Sequence, residues 1–120
     1  MTIMSQLMLT PEDLLAGANA IYEVAIPPDI LHARNNRPRE QDIQKRDMLV
    51  KLRPLSIGTF QLIINAAKQD AGLIPLLMIK EALIEPSLSL GQIKQLHMGL
   101  IEFLIDNIRQ ISGLAEKKNP

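Results

Sequence analysis

The sequence predicts a mainly α-helical fold, a compact bundle of four to five helices with a small N-terminal antiparallel β-hairpin as a minor α+β component. Hydrophobic residues make up 47% of the chain but aromatic residues only 2%, so the core must consist of Leu, Ile, Ala and Met. From Ser56 onward apolar residues recur at helical spacing, whereas two earlier runs alternate with the period of a strand. We expect residues 1–120 to form a single domain that needs no disulfide or metal to fold.

The N-terminal region begins with a short predicted helix. Thr10 is the expected N-cap, with Pro11 at the first helical position and Asp13 at capping-box spacing. The run "AIYEVAIPP" then alternates between apolar and other residues, and so does the later run "MLVKLRPL". These two runs are predicted to pair as an antiparallel hairpin with a long connection.

The connection between the two strands, residues 32–47, is the most polar part of the chain. Its composition predicts a flexible basic loop. Residues 32–53 contain seven basic and three acidic residues, whereas residues 1–31 contain four acidic residues and no basic one, so the charge is segregated although it sums to zero. The basic residues of the loop itself are Arg34, Arg37, Arg39, Lys45 and Arg46.

Four helices are predicted after the second strand. Ser56 is the candidate N-cap of the first, and Gly72 its C-terminal stop. The next, "LIPLLMIKEALIEP" at residues 73–86, is apolar on nearly all sides and is expected to end at Pro86. A short helix is expected to begin at the capping box that opens with Ser89.

The last predicted helix, within "MGLIEFLIDNIRQISGL", is the most clearly amphipathic one. Gly113 is expected to end it at the C′ position, and residues 115–120 are expected to form a frayed tail. Its apolar stripe, which should face the core, consists of Leu100, Ile101, Leu104, Ile105, Ile108 and Ile111.

The chemistry-bearing residues do not form a recognisable catalytic pattern. The chain has no cysteine, which excludes a thiol nucleophile, a Cys-ligated zinc and an iron–sulfur cluster. His32 and His97 have no metal-binding spacing, and His97 is more simply a capping or junction residue. Glu81 and Glu85, at i,i+4 on one predicted helix face, could share a metal, or could form a solvated stripe that meets Lys or Arg on a neighbour. We therefore predict no enzymatic activity and no cofactor.

The basic segment also suggests nucleic-acid binding. Its arginines and lysines could contact phosphates, but acidic residues are interleaved with them and no aromatic residue lies between them. A solvated loop, or a clamp that orders on an acidic protein partner, fits this composition as well. The apolar runs are shorter than the roughly 20 residues that span a bilayer, and the N-terminus lacks a basic signal-peptide region, so we expect a soluble cytoplasmic protein without a membrane partner.

Three segments follow one another in the second part of the chain: "VKLRPLSIGTFQLIINAAKQD", "LLMIKEALIEPSLSLGQIKQL" and "GLIEFLIDNIRQISGL". Their order resembles the tail assembly chaperones of long-tailed phages. The similar features are an "LRPLS" helix start, a helix that runs into "EPSLS" and a closing amphipathic helix that ends in "SGL". The resemblance covers Tyr22 to Leu114, and its motifs are mainly caps and core positions.

This resemblance implies a non-enzymatic protein of the host cytoplasm. Such chaperones bind the long helical tape-measure protein, keep it soluble and recruit tail tube subunits, and we expect a homo-oligomer. The long basic loop departs from the family's compact form and leaves open whether the particle is a phage or a phage-derived one. The alternative function is a nucleic-acid-associated helical adaptor or regulator that uses residues 32–53.

A chaperone of this kind needs adaptable apolar surface, which Met and Leu side chains supply. The flank of the predicted helix at residues 73–86 is the candidate surface, although a stripe of Met and Leu is more often part of a buried core. The candidate partner-binding residues are Leu76, Met78, Glu81, Leu83, Ile84, Glu85 and Met98.

Overall fold

Six α-helices, a 3₁₀ helix and a three-stranded sheet make up residues 7–31 and 48–114, the part of the chain that the computed structural model describes. The prediction of a mainly helical chain with a small sheet is confirmed, whereas the predicted number of helices and of strands is too low. The predicted flexible loop at 32–47 and frayed tail at 115–120 lie outside the described residues. In chain order the elements are α1 (Pro11–Leu15), the 3₁₀ helix (Ala16–Asn19), β1 (Tyr22–Ala25), α2 (Pro28–Leu31), β2 (Leu49–Leu52), α3 (Ile57–Ala66), α4 (Leu73–Ala82), β3 (Leu83–Glu85), α5 (Leu90–Ile93) and α6 (Met98–Ile111).

Side-chain caps begin the helices where the sequence predicts them. At α1 the Asp13 amide donates to the Thr10 hydroxyl at 3.2 Å and the Thr10 amide donates to the Asp13 carboxylate at 2.8 Å. Ser89 and Gln92 form the same reciprocal pair at α5, and the Ser56 hydroxyl caps α3. Each cap supplies an acceptor to an amide that the helix itself leaves unpaired.

The end of α6 is also the predicted one. Gly113 has φ of 79°, a left-handed conformation that glycine adopts without a Cβ penalty. The Leu114 amide donates to the Arg109 carbonyl at 2.7 Å and the Gly113 amide to the Gln110 carbonyl at 3.2 Å. These two bonds form a Schellman motif, which satisfies carbonyls that would otherwise lack a donor.

The predicted stop of α3 at Gly72 is wrong. The helix ends at Ala66, and Gly72 has a right-handed φ of −65° directly before α4. Asp70 explains the difference. Its side-chain carboxylate accepts a hydrogen bond from the Gly72 amide at 3.0 Å, and its backbone carbonyl accepts one from the Leu73 amide at 3.0 Å. This local turn at Asp70 separates the two helices.

The sheet contains the predicted pairing of β1 with β2. The strands are antiparallel, with Val24 opposite Val50 and Tyr22 opposite Leu52. Leu52 is fully buried, so this face of the sheet packs on the helices.

The sheet has a third strand, however, so the predicted helix over 73–86 is wrong in its last turn. The chain leaves the helix at Ala82, and Leu83–Glu85 pairs with β2 as an antiparallel strand. Two physical causes favour the strand. Pro86 disfavours helical φ and ψ at the residue before it, and β2 has a second edge whose backbone groups need partners. The Arg53 amide, for example, donates to the Ala82 carbonyl at 2.9 Å.

The core forms around α4, which packs against α3, α5 and α6 and continues into β3. This arrangement explains why α4 is apolar on nearly all sides, since most of its surface faces other elements. Ile79 of α4 and Ile108 of α6 have no exposed surface. The buried core residues are Ile26, Leu52, Ile63, Met78, Ile79, Ala82, Leu83, Ile93, Leu100, Leu104 and Ile108.

Hydrogen bonds fix both ends of α6 to other elements. At its N-terminus the His97 ring accepts from the Leu100 amide through Nδ1 at 3.3 Å, and Nε2 lies 3.4 Å from the Leu31 carbonyl of α2. This geometry assigns the proton to Nε2 and confirms His97 as a capping and junction residue. At the other end the Ser112 hydroxyl accepts from the Leu55 amide at 2.8 Å.

Substitution of Met78 tests the buried position of α4. Met78 is 4% exposed, so Met78→Asp places an unpaired carboxylate in the core and should abolish cooperative folding. The milder Met78→Ala should lower the free energy of unfolding by about 2–5 kcal/mol in chemical denaturation.

Met98→Asp is the matched control, because Met98 is 74% exposed at the first turn of α6, where a carboxylate is favoured. We expect it to change the free energy of unfolding by less than about 0.5 kcal/mol. Equal effects of Met78→Ala and Met98→Asp would contradict the core described above.

Candidate protein-binding surfaces

The predicted partner-binding residues do not form one surface. Met78 and Leu83 are buried in the core, where their side chains contact other elements of the same chain. Leu76 and Ile84 are half-buried, and Met98 lies exposed at the start of α6. The core alternative therefore accounts for Met78 and Leu83, and the remaining apolar candidates are dispersed.

Glu81 and Glu85 do not share a helix face, so the prediction that both lie at i,i+4 on one helix is wrong. Glu81 belongs to α4, whereas Glu85 belongs to β3. Each approaches a basic residue: Glu81 lies 3.9 Å from the Arg53 guanidinium, and Glu85 lies 3.4 Å from the Lys51 ammonium. Within the described ranges, no cluster of three or more His, Asp or Glu residues could hold a metal ion.

Arg53 does more than pair with a carboxylate. Its Nε donates to the Glu81 carbonyl at 3.0 Å, while its backbone amide donates to the Ala82 carbonyl. These carbonyls belong to the last turn of α4, where a positive charge is favourable. Arg53 therefore stabilises the point at which α4 changes into β3. No local sequence pattern predicts this contact, because Arg53 and Glu81 lie 28 positions apart in the chain.

A groove between α3 and α4 forms an apolar depression on the helical side of the described chain, with a volume of about 220 Å³. Leu62 of α3 lines this groove, and 69% of its surface is exposed. The residues that line the groove are Thr59, Leu62, Ile63, Ala66, Leu77 and Glu81.

Leu62 could not be assigned to this groove from the sequence. The run "LII" at residues 62–64 is too wide for one helix face. The helical spacing of Phe60, Ile63, Ile64 and Ala67 predicts that Ile64 rather than Leu62 faces the core. In the structure Ile63 is buried, while Leu62 and Ile64 are both exposed on either side of it.

The N-terminal arm, which we define as residues 7–21, is a second exposed apolar surface. Neither α1 nor the 3₁₀ helix has a buried residue. The arm carries Glu12 and Asp13 but no basic residue. Its exposed large apolar side chains are Leu7, Met8, Leu9, Leu14, Leu15 and Ile21.

The outer face of the sheet carries charged side chains beside the exposed Leu49. Lys51 lies between Glu23 on β1 and Glu85 on β3, its register partners on the two neighbouring strands. The described part of the basic segment, Lys51 and Arg53, therefore lies beside carboxylates of the same chain. The five basic residues predicted for the loop, Arg34, Arg37, Arg39, Lys45 and Arg46, lie outside the described residues.

Replacing Arg53 should weaken the junction between α4 and β3. Arg53→Ala removes a charge-assisted bond to a helix carbonyl, and we expect the free energy of unfolding to fall by about 1 kcal/mol. Lys51→Ala is the control, because an exposed ion pair contributes less than about 1 kcal/mol and often nothing measurable. Chemical denaturation of the two variants makes the comparison, and an equal loss in both would contradict the role of Arg53.

Acidification should unwind α1. The hydrogen bonds from the backbone amide and the side chain of Thr10 hold the pKa of Asp13 below its ordinary value. Since the pKa is lower in the folded helix, the cap is fully present above the ordinary pKa of aspartate and is lost as the pH falls through the lowered value. The amide chemical shifts of Leu14 and Leu15 should report this transition in NMR spectra.

Asp13→Asn is the control for this titration. It removes the titrating group, so the acid-dependent shift of the Leu14 and Leu15 amides should disappear. Persistence of the same transition in Asp13→Asn would show that another group controls the helix.

Comparison with known proteins identified no relative of this chain. Searches of protein-family models, of curated proteins and of solved structures each found no match to this chain. No helix in residues 7–31 or 48–114 is long and apolar enough to cross a membrane. The groove and the arm are therefore the features from which a function can be proposed.

Proposed function

We propose that this protein is a tail assembly chaperone that acts without catalysis in the host cytoplasm. It binds a helical segment of the tape-measure protein and presents that client to tail tube subunits. The single observation that carries the proposal is the open apolar groove between α3 and α4. The sequence resemblance described above supplies the identity of the clients.

The chemistry of the groove suits an amphipathic helix. Leu62, Ile63 and Leu77 provide its apolar surface, and the small side chain of Ala66 leaves room between them. A client helix would insert apolar residues spaced three or four apart, as in other helix-in-groove complexes.

Polar groups also line the groove and would orient the client. Thr59 offers a hydroxyl, and Glu81 offers a carboxylate whose distance to Arg53, 3.9 Å, is long for an ion pair. A basic residue of a client helix would therefore find an acceptor at Glu81. A groove with these two polar groups favours an amphipathic helix over an entirely apolar one.

Aliphatic side chains suit clients of varied sequence. The exposed large apolar residues of α3 are Ile57, Leu62 and Ile64, all of them aliphatic groups without a ring. Aliphatic contacts do not require the fixed relative orientation that ring stacking does, so they can accept related but different sequences. A long tape-measure helix presents many such related segments along its length.

The alternative, a nucleic-acid adaptor, has less support. It depends on residues 32–53, of which Lys51 and Arg53 lie beside Glu85 and Glu81 in the same chain. A basic side chain that lies beside a carboxylate of its own chain attracts phosphate less strongly than an isolated one.

Co-purification with a tape-measure fragment tests the proposal. The wild-type chain should retain a co-expressed tape-measure fragment, and Leu62→Asp should weaken that binding at least tenfold, because a carboxylate would replace an apolar contact, at a cost of about 1.4 kcal/mol or more. Fluorescence anisotropy with a labelled client helix measures the dissociation constants.

Gln61→Asp is the matched control, since Gln61 is an exposed neighbour on α3 that does not line the groove. It introduces the same charge and should leave the dissociation constant within about twofold. Equal binding by Leu62→Asp and the wild-type chain, or no retention of any tape-measure fragment, would refute the proposed function.

A further inference from the structure

Glu81 is the only charged residue among the described residues that line the groove between α3 and α4. The other lining side chains are apolar, apart from the hydroxyl of Thr59. The side chain of Glu81 is 42% exposed, so a partner that enters the groove meets a carboxylate that is still in contact with water. One residue therefore determines the charge that this groove presents to a partner.

Hydrogen bonds place this carboxylate at one end of the groove. The Arg53 amide donates to the Ala82 carbonyl at 2.9 Å, so the chain that leads into α3 lies against the last turn of α4. Thr59, in the first turn of α3, therefore shares an end of the groove with Glu81. The apolar lining residues continue from there along the two helices: Leu62, Ile63, Ala66 and Leu77.

The carboxylate of Glu81 is incompletely paired within its own chain. Its Oε1 lies 3.9 Å from Nη2 of Arg53, which is too far for a hydrogen bond. Nε of the same guanidinium donates to the Glu81 backbone carbonyl at 3.0 Å, so the backbone rather than the carboxylate holds Arg53 in place. Glu81 can therefore pair with a second cation while Arg53 keeps its own hydrogen bond.

We propose that the groove selects amphipathic helices that carry a lysine or arginine close to their apolar anchors, with Glu81 as the residue that determines this specificity. The inference rests on the proposed function and names the class of client segment that the groove accepts. Thr59 and Ala66 lie about 10 Å apart along the axis of α3, so a client helix spans the groove in about two turns. Its apolar residues contact Leu62 and Leu77, and its basic residue reaches Glu81.

Burial of Glu81 under a bound helix separates basic clients from others. A docked helix removes water from the carboxylate, and Arg53 at 3.9 Å replaces that water incompletely. A lysine or arginine of the client supplies the missing donor through a charge-assisted hydrogen bond. An aspartate or glutamate at the same position places two carboxylates together and lowers the affinity. The groove therefore discriminates both by the cation that it binds and by the charge that a wrong partner leaves unpaired.

The same charge disfavours the protein's own N-terminal arm as an occupant. The arm at residues 7–21 is apolar and exposed, but it carries Glu12 and Asp13 and no basic residue. It has no cation to offer Glu81. An acidic apolar segment is therefore a poor competitor for a basic client helix.

Fluorescence anisotropy with designed peptides tests this specificity on the full chain. The probes are three labelled alanine-based peptides of roughly 18 residues, long enough to form a helix. They share one leucine stripe and differ at a single position next to it, which is Lys, Gln or Glu. The wild-type chain should bind the Lys peptide at least about tenfold more tightly than the Glu peptide, with the Gln peptide between them.

Glu81→Gln should reduce this preference to within about twofold, because the amide carries no charge. Glu85→Gln is the matched control, since Glu85 is an exposed carboxylate of β3 that pairs with Lys51 and does not line the groove. It should retain the full preference for the Lys peptide. In the wild-type chain the preference should also shrink as the salt concentration rises, because salt screens partly exposed charges.

The outcomes separate this inference from the proposed function. Equal binding of the three peptides by the wild-type chain, or a preference that Glu81→Gln retains, would overturn the inference. The proposed function would stand in that case if a tape-measure fragment still co-purified. Failure of all three peptides to bind would overturn the inference as well. A preference that depends on Glu81, without retention of any tape-measure fragment, would refute the proposed function alone.

Discussion

The rest of the structure depends on the burial of α4. Its Met78, Ile79 and Ala82 are buried against residues such as Ile108 of α6, and Ile79, Ala82 and Ile108 have no exposed surface at all. A helix that is apolar on nearly all sides is stable in water only when other elements surround it. The helices α3, α5 and α6 and the strand β3 pack against α4. The need to bury the apolar sides of α4 therefore determines the arrangement of the domain.

The sheet and the groove are both consequences of this central helix. Because α4 passes directly into β3, the helix fixes one edge of the sheet. Arg53 donates hydrogen bonds to the carbonyls of Glu81 and Ala82, where the helix ends and the strand begins. On another side α3 covers α4 only partly, since Ala66 is small and Leu62 turns outward. The same helix therefore supplies the core and one wall of the surface that we propose for the client.

The two unpartnered apolar surfaces differ in origin. The groove exists because two packed helices leave a gap between them, whereas the arm exists because α1 is held by a capping box without any core contact. A short helix of this kind is marginal by itself, so its hydrogen bonds matter more for its folding than they would in a packed helix. The arm has two acidic residues and no basic one, whereas residues 48–114 carry six basic and five acidic residues.

Sequence by itself determined the features that depend on neighbours within one turn. The caps at Thr10, Ser56 and Ser89, the Schellman end at Gly113 and the apolar stripe of α6 are local patterns of hydrogen-bonding groups and helical spacing. The pairing of β1 with β2 was predicted from alternation alone. Only the tertiary structure decided features that join distant parts of the chain: the third strand, the contact of Arg53 with α4, and the exposure of Leu62. Their cause lies in backbone groups and packing surfaces supplied by other elements, which outweigh local helix preference and leave no periodic trace in the sequence.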